Sequence, residues 1–239
     1  MPLKTIILKI WSYRWVLRSL HYTIYFNFHY LPFKQAIHLP ILLYKPQLLK
    51  CRGSVKICKL EGVKFGMIRL GVHAVSIYPN RGFIWENHGG SIEFKGNCLI
   101  GNNSSLSFGN KTKVIFGDDF IVNTTFKLVS YKGITFGQST RFGWDCLIMD
   151  TNFHPLYDMT KERFKKASGA IEIGDYNWFG TQCKIMHSVK TPERCIFGMN
   201  SVITRGCEMK SYCVMGGSPV RVLTENVMRI IGQDTEKYD

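Results

Sequence analysis

Large apolar residues recur along the C-terminal half of the chain with a period of six. Apolar residues followed by glycine lie eighteen positions apart, at Phe179-Gly180, Phe197-Gly198 and Met215-Gly216. The intervening grid positions are Ile173, Ile185, Thr191, Ile203 and Met209. An amphipathic helix needs a period near 3.6 and a half-buried strand a period of two. A period of six inside a period of eighteen therefore predicts a solenoid with three short strands per coil.

The same pattern extends back to about residue 100, at Ile100-Gly101, Leu106, Phe116-Gly117, Val122, Phe136-Gly137, Phe142-Gly143 and Ile148. It slips between residues 110 and 133. Small residues also recur at the fifth position of the six-residue repeat, counted from the large residue. These residues are Ser104, Thr140, Cys146, Cys183, Ser201, Cys207 and Cys213. Large and small residues at constant offsets suit a narrow prism whose coils stack about 4.8 Å apart. We expect reduced cysteines that fill the core, and glycines that serve the bends between faces.

The pattern defines an all-β fold in three parts. A three-sided parallel β-helix is predicted over residues 54–223, after an N-terminal cap segment over residues 1–53 and before a short helical tail over residues 224–239. The first fifty residues interleave aromatic and basic side chains, which favours a cap packed over the end of the solenoid. The alternative is peripheral contact of residues 1–50 with a membrane surface. We expect a cytoplasmic protein, at the inner face of the membrane if that contact exists.

Charge adds a preference for anionic partners. The 239 residues include 31 Lys and Arg against 17 acidic residues, a net charge of +14. Such a field favours a phosphorylated small molecule, nucleic acid or a membrane surface, although solubility alone is the other interpretation. The basic residues are scattered with no block of five, which argues against nucleic acid as a partner.

Two segments resemble a known family. The residues from Ile173-Gly174-Asp175 through Met215-Gly216-Gly217-Ser218-Pro219-Val220-Arg221 resemble the last coils of the hexapeptide-repeat acyltransferases. Residues 143–156, Gly-Trp-Asp-Cys-Leu-Ile-Met-Asp-Thr-Asn-Phe-His-Pro-Leu, resemble members that O-acetylate sugars and surface polysaccharides. The resemblance implies a left-handed β-helix, a homotrimer with sites between subunits, and acetyl-CoA as co-substrate.

The six-residue grid stops between Ile148 and Ile171, which predicts a loop over residues 150–170. Insertions in a solenoid usually line its binding face. The loop contains His154, and a histidine can accept a proton at neutral pH, as acyl transfer to a hydroxyl requires. The resemblance makes His154 the catalytic base. Asp150, Asn152 and Trp144 are candidate substrate contacts, the first two as residues that orient the imidazole or the sugar.

The resemblance also implies a donor site. Trp178 matches a residue that flanks the thioester, although a packing role is the alternative. Gly180 and Gly198 match backbone along the pantetheine arm, where an exposed corner amide would stabilise the oxyanion. The remaining candidate contacts are Ser201, Thr204, Arg205, Gly216, Pro219 and Arg221, with the arginines placed near the CoA phosphates. We expect no metal, since only His154 and His187 lie in range of a three-histidine zinc site.

These patterns favour an acetyl-CoA-dependent O-acetyltransferase that acts on a carbohydrate, which is either a surface polysaccharide or its precursor. The hydroxyl would attack the thioester directly, because no serine or cysteine lies in a nucleophile-elbow context. Three alternatives remain open. One is an N-acetyltransferase of an amino sugar or an antibiotic. The others are a binding solenoid without catalysis and an assembly factor at the membrane surface. Titration with CoA tests the binding solenoid, which should not bind CoA. The assembly factor should instead bind liposomes through residues 1–50, lose that binding on truncation and transfer no acetyl group.

Overall fold

A computed structural model describes residues 17–58, 62–73 and 75–233. Two helices, α1 (Leu20–Tyr30) and α2 (Phe33–Ala36), precede the strands. The first four coils contain β1 (Ile41–Leu43), β2 (Pro46–Cys51) and β3 (Ser54–Ile57); β4 (Ile68–Val72), β5 (Phe83–Asn87) and β6 (Ser91–Phe94); β7 (Cys98–Gly101), β8 (Ser104–Phe108) and β9 (Lys113–Phe116); β10 (Phe120–Thr124), β11 (Lys127–Ser130) and β12 (Ile134–Phe136).

The fifth coil contains β13 (Arg141–Trp144), β14 (Leu147–Met149), a projecting pair β15 (Tyr157–Asp158) and β16 (Arg163–Phe164), and β17 (Ile171–Ile173). Later strands are β18 (Trp178–Phe179), β19 (Lys184–Ile185) and β20 (Lys190–Thr191); β21 (Ile196–Phe197) and β22 (Val202–Ile203); β23 (Cys213–Gly217) and β24 (Val220–Glu225). The first, second and third strands of the coils form sheets A, B and C, whose successive strands pair in parallel except β24. The molecule is therefore a three-sided parallel β-helix.

The predicted grid residues form the core of this prism. On sheet A, the rings of Phe142, Phe179 and Phe197 stack with centroids 4.5 and 4.6 Å apart and interplanar angles of 7° and 2°. Phe94, Phe116 and Phe136 form a second stack on sheet C. The small residues Cys146, Cys183, Ser201 and Cys213 are at most 1% exposed. Met209 and Cys207 are only partly buried, because the last coil has no strand on sheet C.

The glycines that follow the large residues do not make the bends, and that prediction is wrong. The bends use other residues at positive φ, such as Tyr176, Gln182, Arg194 and Asn200. The glycines instead allow neighbouring coils to approach. A Cβ on Gly101 would lie 1.6 Å from the carbonyl oxygen of Asn123, and one on Gly117 would lie 2.3 Å from that of Gly137.

The slip between residues 110 and 133 has a simple structural cause. Ile100, Val122 and Phe142 are in register on sheet A, so their two coils exceed eighteen residues by four and by two. Residues added in pairs preserve the alternation of inward and outward side chains along a strand. The core therefore stays continuous where the sequence period is lost.

The cap packs on the open edge of the first strand. Thr23, Phe26 and Asn27 form the buried face of α1. Asn27 hydrogen-bonds both the N–H and the carbonyl of Ile41, and the Thr23 hydroxyl accepts from the Leu43 N–H. These side chains satisfy backbone groups that an unpaired edge would expose. The solenoid thus begins at Ile41 instead of residue 54. Residues 1–16 of the predicted cap lie outside the described residues.

The C-terminal end differs from the predicted helical tail. Strand β24 turns back antiparallel to β23 and covers the last edge of sheet A. Residues 226–233 contain no helix, and residues 234–239 lie outside the described residues. A strand is favoured here because it pairs the backbone groups that the final coil leaves open. Within the described ranges, no helix is long and apolar enough to cross a membrane.

Candidate active site

The predicted loop is an ordered antiparallel arm, which we define as residues 151–168. It leaves the solenoid at the edge between sheets B and C. Strands β15 and β16 pair antiparallel, and a bridge joins Thr151 to Ser168 at the base. The N–H of Asn152 donates to the Ala167 carbonyl at 2.7 Å. Near the tip, the Lys161 backbone N–H and the Lys165 ammonium lower the pKa of Asp158.

His154 lies in a bend near the base of the arm, between Thr151 and strand β15. Its side chain is exposed, and its backbone N–H donates to the Asn152 carbonyl at 2.7 Å. Asn152 is also exposed, two residues away. The imidazole and this amide are therefore available to a molecule outside the prism.

Asp150 does not face that space, and its predicted role as a substrate contact is wrong. The residue is 0% exposed. Its carboxylate accepts hydrogen bonds from the backbone N–H groups of Tyr131, Lys132 and Gly133 at 2.6 to 2.9 Å, and from the Ser130 hydroxyl at 3.0 Å. A carboxylate with four donors holds the corner of the preceding coil. Asp150 thus fixes the edge from which the arm projects.

A groove of about 590 Å³ lies elsewhere, on the outer face of sheet A and up to its edge with sheet B. It contains three predicted site residues, Trp144, Trp178 and Gly180, together with Thr181. Trp178 is 37% exposed, and the Arg229 guanidinium lies 4.7 Å from its ring centroid. Arg229 comes from the tail, outside the repeat, and no periodic signal in the sequence indicated it. His154 does not line this groove, because sheet B separates the two edges.

Several predicted donor-site groups are engaged inside the solenoid. The N–H groups of Gly180 and Gly198 donate to the carbonyls of Phe197 and Met215, so neither is a free oxyanion donor. Ser201 is 0% exposed and its hydroxyl donates to the Gly198 carbonyl at 2.6 Å. Its predicted contact with CoA is therefore wrong. Gly216 is buried beneath Leu223 of β24.

The other predicted donor residues are more accessible. Pro219 and Arg221 are exposed on the terminal hairpin, and Thr204 is half-buried with its hydroxyl 3.5 Å from the Cys207 thiol. Arg205 is exposed at the edge between sheets B and C. It shares a pocket of about 360 Å³ with Lys161, Arg163, Lys165 and Lys166 of the arm. This cluster of cations suits phosphate oxygens.

All eight cysteines are free; five of them are buried packing residues, Cys51 and Cys207 are partly buried, and Cys58 is exposed. Burial raises the pKa of the Cys98 thiol and raises that of Cys195 to about 12. A thiol with a raised pKa contains little of the nucleophilic thiolate at neutral pH. Among the described residues, no group of three His, Cys, Asp or Glu side chains is placed to hold a metal ion.

Tyr78 is a residue near the groove that sequence reasoning missed. It belongs to an insertion between β4 and β5 that obscures the repeat. Its hydroxyl donates to the Asp145 carboxylate at 2.5 Å, and its ring meets the edge of Trp144 with centroids 5.8 Å apart. The hydrogen bond to Asp145 raises the pKa of Tyr78 to about 12. Tyr78 thus holds one wall of the groove.

Comparison with known proteins gives relatives at low identity. No protein-family model matches the sequence. The chain is 26% identical over 189 residues to an uncharacterised 24.8 kDa protein in the cps region of Klebsiella pneumoniae, covering 78% of this chain and 82% of that one. It is 27% identical over 119 residues to a polysialic acid O-acetyltransferase of Escherichia coli O1:K1 / APEC, covering 49% of this chain and 38% of the relative.

Among solved structures, the polySia-specific acetyltransferase NeuO superposes with a TM-score of 0.54 and 15% identity, covering 81% of this chain and 92% of that one. The chain has the fold of the hexapeptide-repeat acetyltransferases. The left-handed parallel β-helix predicted from the resemblance is thereby confirmed. In this hexapeptide-repeat fold, the arm interrupts the fifth coil, and the groove with two tryptophans lies on the neighbouring edge.

Proposed function

We propose that the chain is an acetyl-CoA-dependent O-acetyltransferase that acts on a carbohydrate, a surface polysaccharide or its precursor. The observation that carries this proposal is the exposed imidazole of His154 on an ordered arm in an acetyltransferase fold. The relatedness to a polysialic acid O-acetyltransferase supports a glycan as the acceptor. The cationic pocket at Arg205 supports a donor with phosphate groups.

In the proposed reaction, the Nε2 or Nδ1 atom of His154 accepts the proton of the acceptor hydroxyl while that oxygen attacks the thioester carbonyl. A tetrahedral intermediate forms, and its oxyanion accepts a hydrogen bond from a backbone amide of the groove; Thr181 is the candidate donor. The C–S bond then breaks, and the imidazolium returns its proton to the leaving CoA thiolate. The products are an acetyl ester and CoA. Asn152 orients the imidazole or the sugar.

We further propose that the site forms between two copies of the chain in a homotrimer. Within one copy, His154 and Arg205 lie at the edge between sheets B and C, whereas Trp178 and Gly180 lie at the edge between sheets A and B. One thioester cannot contact both edges of the same prism. The arm of one copy would therefore present His154 to the groove of the next.

We propose that the protein is cytoplasmic and that its cap makes peripheral contact with the inner face of an anionic membrane. The face of α1 away from the solenoid exposes Tyr25 and Phe28, and Phe33 on α2 is 71% exposed. The basic residues Arg18 and Lys34 flank these aromatic residues. Aromatic and basic side chains on one helical surface suit the interface of a bilayer.

Flotation with anionic vesicles tests this contact. The wild type should float with the vesicles, and the Tyr25→Ser/Phe28→Ser/Phe33→Ser variant should stay in the bottom fraction. Equal flotation of the two proteins would remove the proposal.

The experiment that tests the chemistry is the His154→Ala substitution. Loss of a general base lowers the rate by about 10²- to 10⁴-fold. We expect kcat to fall by that factor, with the Kd for CoA from isothermal titration and the melting temperature unchanged. His38→Ala is the matched control, because His38 is an exposed histidine of the cap, remote from the arm. Turnover of His154→Ala near that of the control would exclude His154 from the mechanism.

A further inference from the structure

A second cavity, of about 490 Å³, lies on the same edge as the groove but nearer the N-terminal end. Its lining includes Gln47, Tyr78, Arg81, Asn103, Ser105 and Thr125. These residues come from the first four coils and from the insertion between β4 and β5. The volume is in the range of about 300 to 1,000 Å³ that is usual for small-molecule sites. None of these residues takes part in the chemistry proposed above.

The insertion that forms one wall of the second cavity is fixed to the first and third coils. The Asn102 side-chain amide donates to the Pro79 carbonyl at 2.7 Å, and the Asn103 N–H donates to the Gly82 carbonyl at 2.5 Å. Lys45 donates from Nζ to the Asn80 carbonyl at 3.0 Å. The cavity is thus preformed, which reduces the entropy lost on binding.

Tyr78 connects the second cavity to the groove. It lines the cavity, and it also contacts Asp145 and Trp144 in the fifth coil. Asn103 and Trp144 lie two coils apart, a distance of about 10 Å at the usual spacing of stacked strands. A short oligosaccharide along this edge would therefore reach from the groove into the cavity.

The polar groups of the second cavity are suited to a sugar. The Oδ1 atom of Asn103 is buried without a hydrogen-bond partner among the described residues. A buried acceptor without a partner loses its hydrogen bonds to water, so the position favours a ligand that supplies a donor. Amides such as Asn103 and Gln47 match hydroxyl groups, which also both donate and accept. The Arg81 guanidinium is exposed, without a hydrogen bond to any described residue, and suits a carboxylate.

We propose that the second cavity is a subsite for an acidic sugar residue of the acceptor, a few residues along the glycan from the one that is acetylated. The substrate is then a chain of acidic sugars, longer than a disaccharide. This inference rests on the proposed O-acetyltransferase function and names its acceptor class. Asn103 and Arg81 act as positioning residues, because they bind the glycan away from the reacting atoms.

The test compares acceptors of different length. The probes are a dimer and an octamer of sialic acid, with a neutral oligosaccharide as reference. Arg81→Gln should raise the KM for the octamer about fivefold, the effect of losing an exposed ion pair worth about 1 kcal/mol. Its KM for the dimer, its kcat and its Kd for CoA should stay as in the wild type. Asn103→Gly, which tolerates the positive φ of 57°, should have the same selective effect.

Lys56→Gln is the matched control, because it removes one exposed positive charge from sheet C, on the face away from the second cavity. A rise in KM for the octamer in this control equal to that of Arg81→Gln would attribute the effect to net charge and overturn the subsite. An equal effect of Arg81→Gln on dimer and octamer, or a changed Kd for CoA, would also overturn it.

Direct binding separates this inference from the proposed function. Isothermal titration of the wild type with the octamer should give a Kd that Arg81→Gln raises about fivefold. Octamer binding with this dependence but without acetyl transfer would contradict the proposed function and keep the subsite. Acetyl transfer to dimer and octamer with equal KM would keep the function and overturn the subsite. No binding of the octamer to the wild type would overturn the subsite as well.

Discussion

At the scale of single residues, burial separates side chains that look alike in the sequence. Asp150 and Asn152 are both polar residues beside His154 in the interrupted coil. Only Asn152 reaches solvent, whereas the Asp150 carboxylate accepts from three backbone N–H groups and one hydroxyl. The alternation of inward and outward side chains decides this difference, since Asp150 follows Ile148 by two positions and points inward like it.

The role of Asp150 can be measured as stability. Asp150→Ala leaves four donors without their acceptor, and hydrogen bonds to charged groups contribute about 1.5 to 3 kcal/mol each. We expect the free energy of unfolding, from denaturant titration, to fall by about 3 kcal/mol or more. Asn152→Ala, on the exposed arm, should change it by less than about 0.5 kcal/mol. A stable Asp150→Ala protein with only a raised KM for the acceptor would restore the substrate role.

At the scale of elements, the coils are close enough that glycine is required at defined contacts. Gly101 and Gly198 both follow a large core residue of sheet A. An added Cβ would overlap the carbonyl of the next coil at Gly101, but at Gly198 the nearest atom is 3.5 Å away. Identical positions in the repeat therefore tolerate a methyl group differently.

This pair of glycines gives a matched test. Gly101→Ala should destabilise the protein by about 1 to 3 kcal/mol, because the coils must separate. Gly198→Ala should be neutral or stabilising by up to about 1 kcal/mol, through the lower entropy of its unfolded chain. Thermal unfolding of the two variants measures the difference. Equal melting temperatures would show that close approach of the coils is not why glycine occurs at these positions.

The arrangement of the strands also shows which parts of the fold and of the candidate site the sequence could predict. The grid residues from Ile100 to Met215 follow directly from the sequence, because each coil returns a large side chain to the same axis. The period is lost before Ile100, because insertions between β3 and β4 and between β4 and β5 break it. Strands β1 and β2 therefore fall in the predicted cap, whereas the predicted solenoid over residues 54–223 includes β3 to β6. Tyr78 and Arg81 lie in the second insertion, and Arg229 lies in a tail expected to be helical. Their positions depend on tertiary contacts that no local pattern encodes.

At the scale of the whole molecule, the two edges of the prism divide the proposed chemistry. His154 and the Arg205 cluster belong to one edge, and the groove with Trp144 and Trp178 belongs to the next. A single copy with all these residues intact would still lack a complete site. Assembly would therefore be part of catalysis, and defects on the two edges should complement one another.

Complementation tests this division. His154→Ala and Trp178→Ala are each expected to be nearly inactive. Mixed oligomers of the two variants, formed by co-expression with different affinity tags and purified on both, contain interfaces with an intact arm opposite an intact groove. We expect these mixed oligomers to recover a substantial fraction of wild-type turnover. Recovery no greater than the sum of the single variants would place the whole site within one copy.

The measurement that tests the central claim most directly is mass spectrometry of a glycan incubated with the wild-type chain and acetyl-CoA. The account predicts a product heavier by one acetyl group, with release of one CoA per acetyl transferred. Mild alkali should remove that group, because it is an ester, and His154→Ala should not form it. An alkali-stable acetyl amide, or no acetylated glycan from acidic and neutral oligosaccharides despite tight CoA binding, would contradict the account.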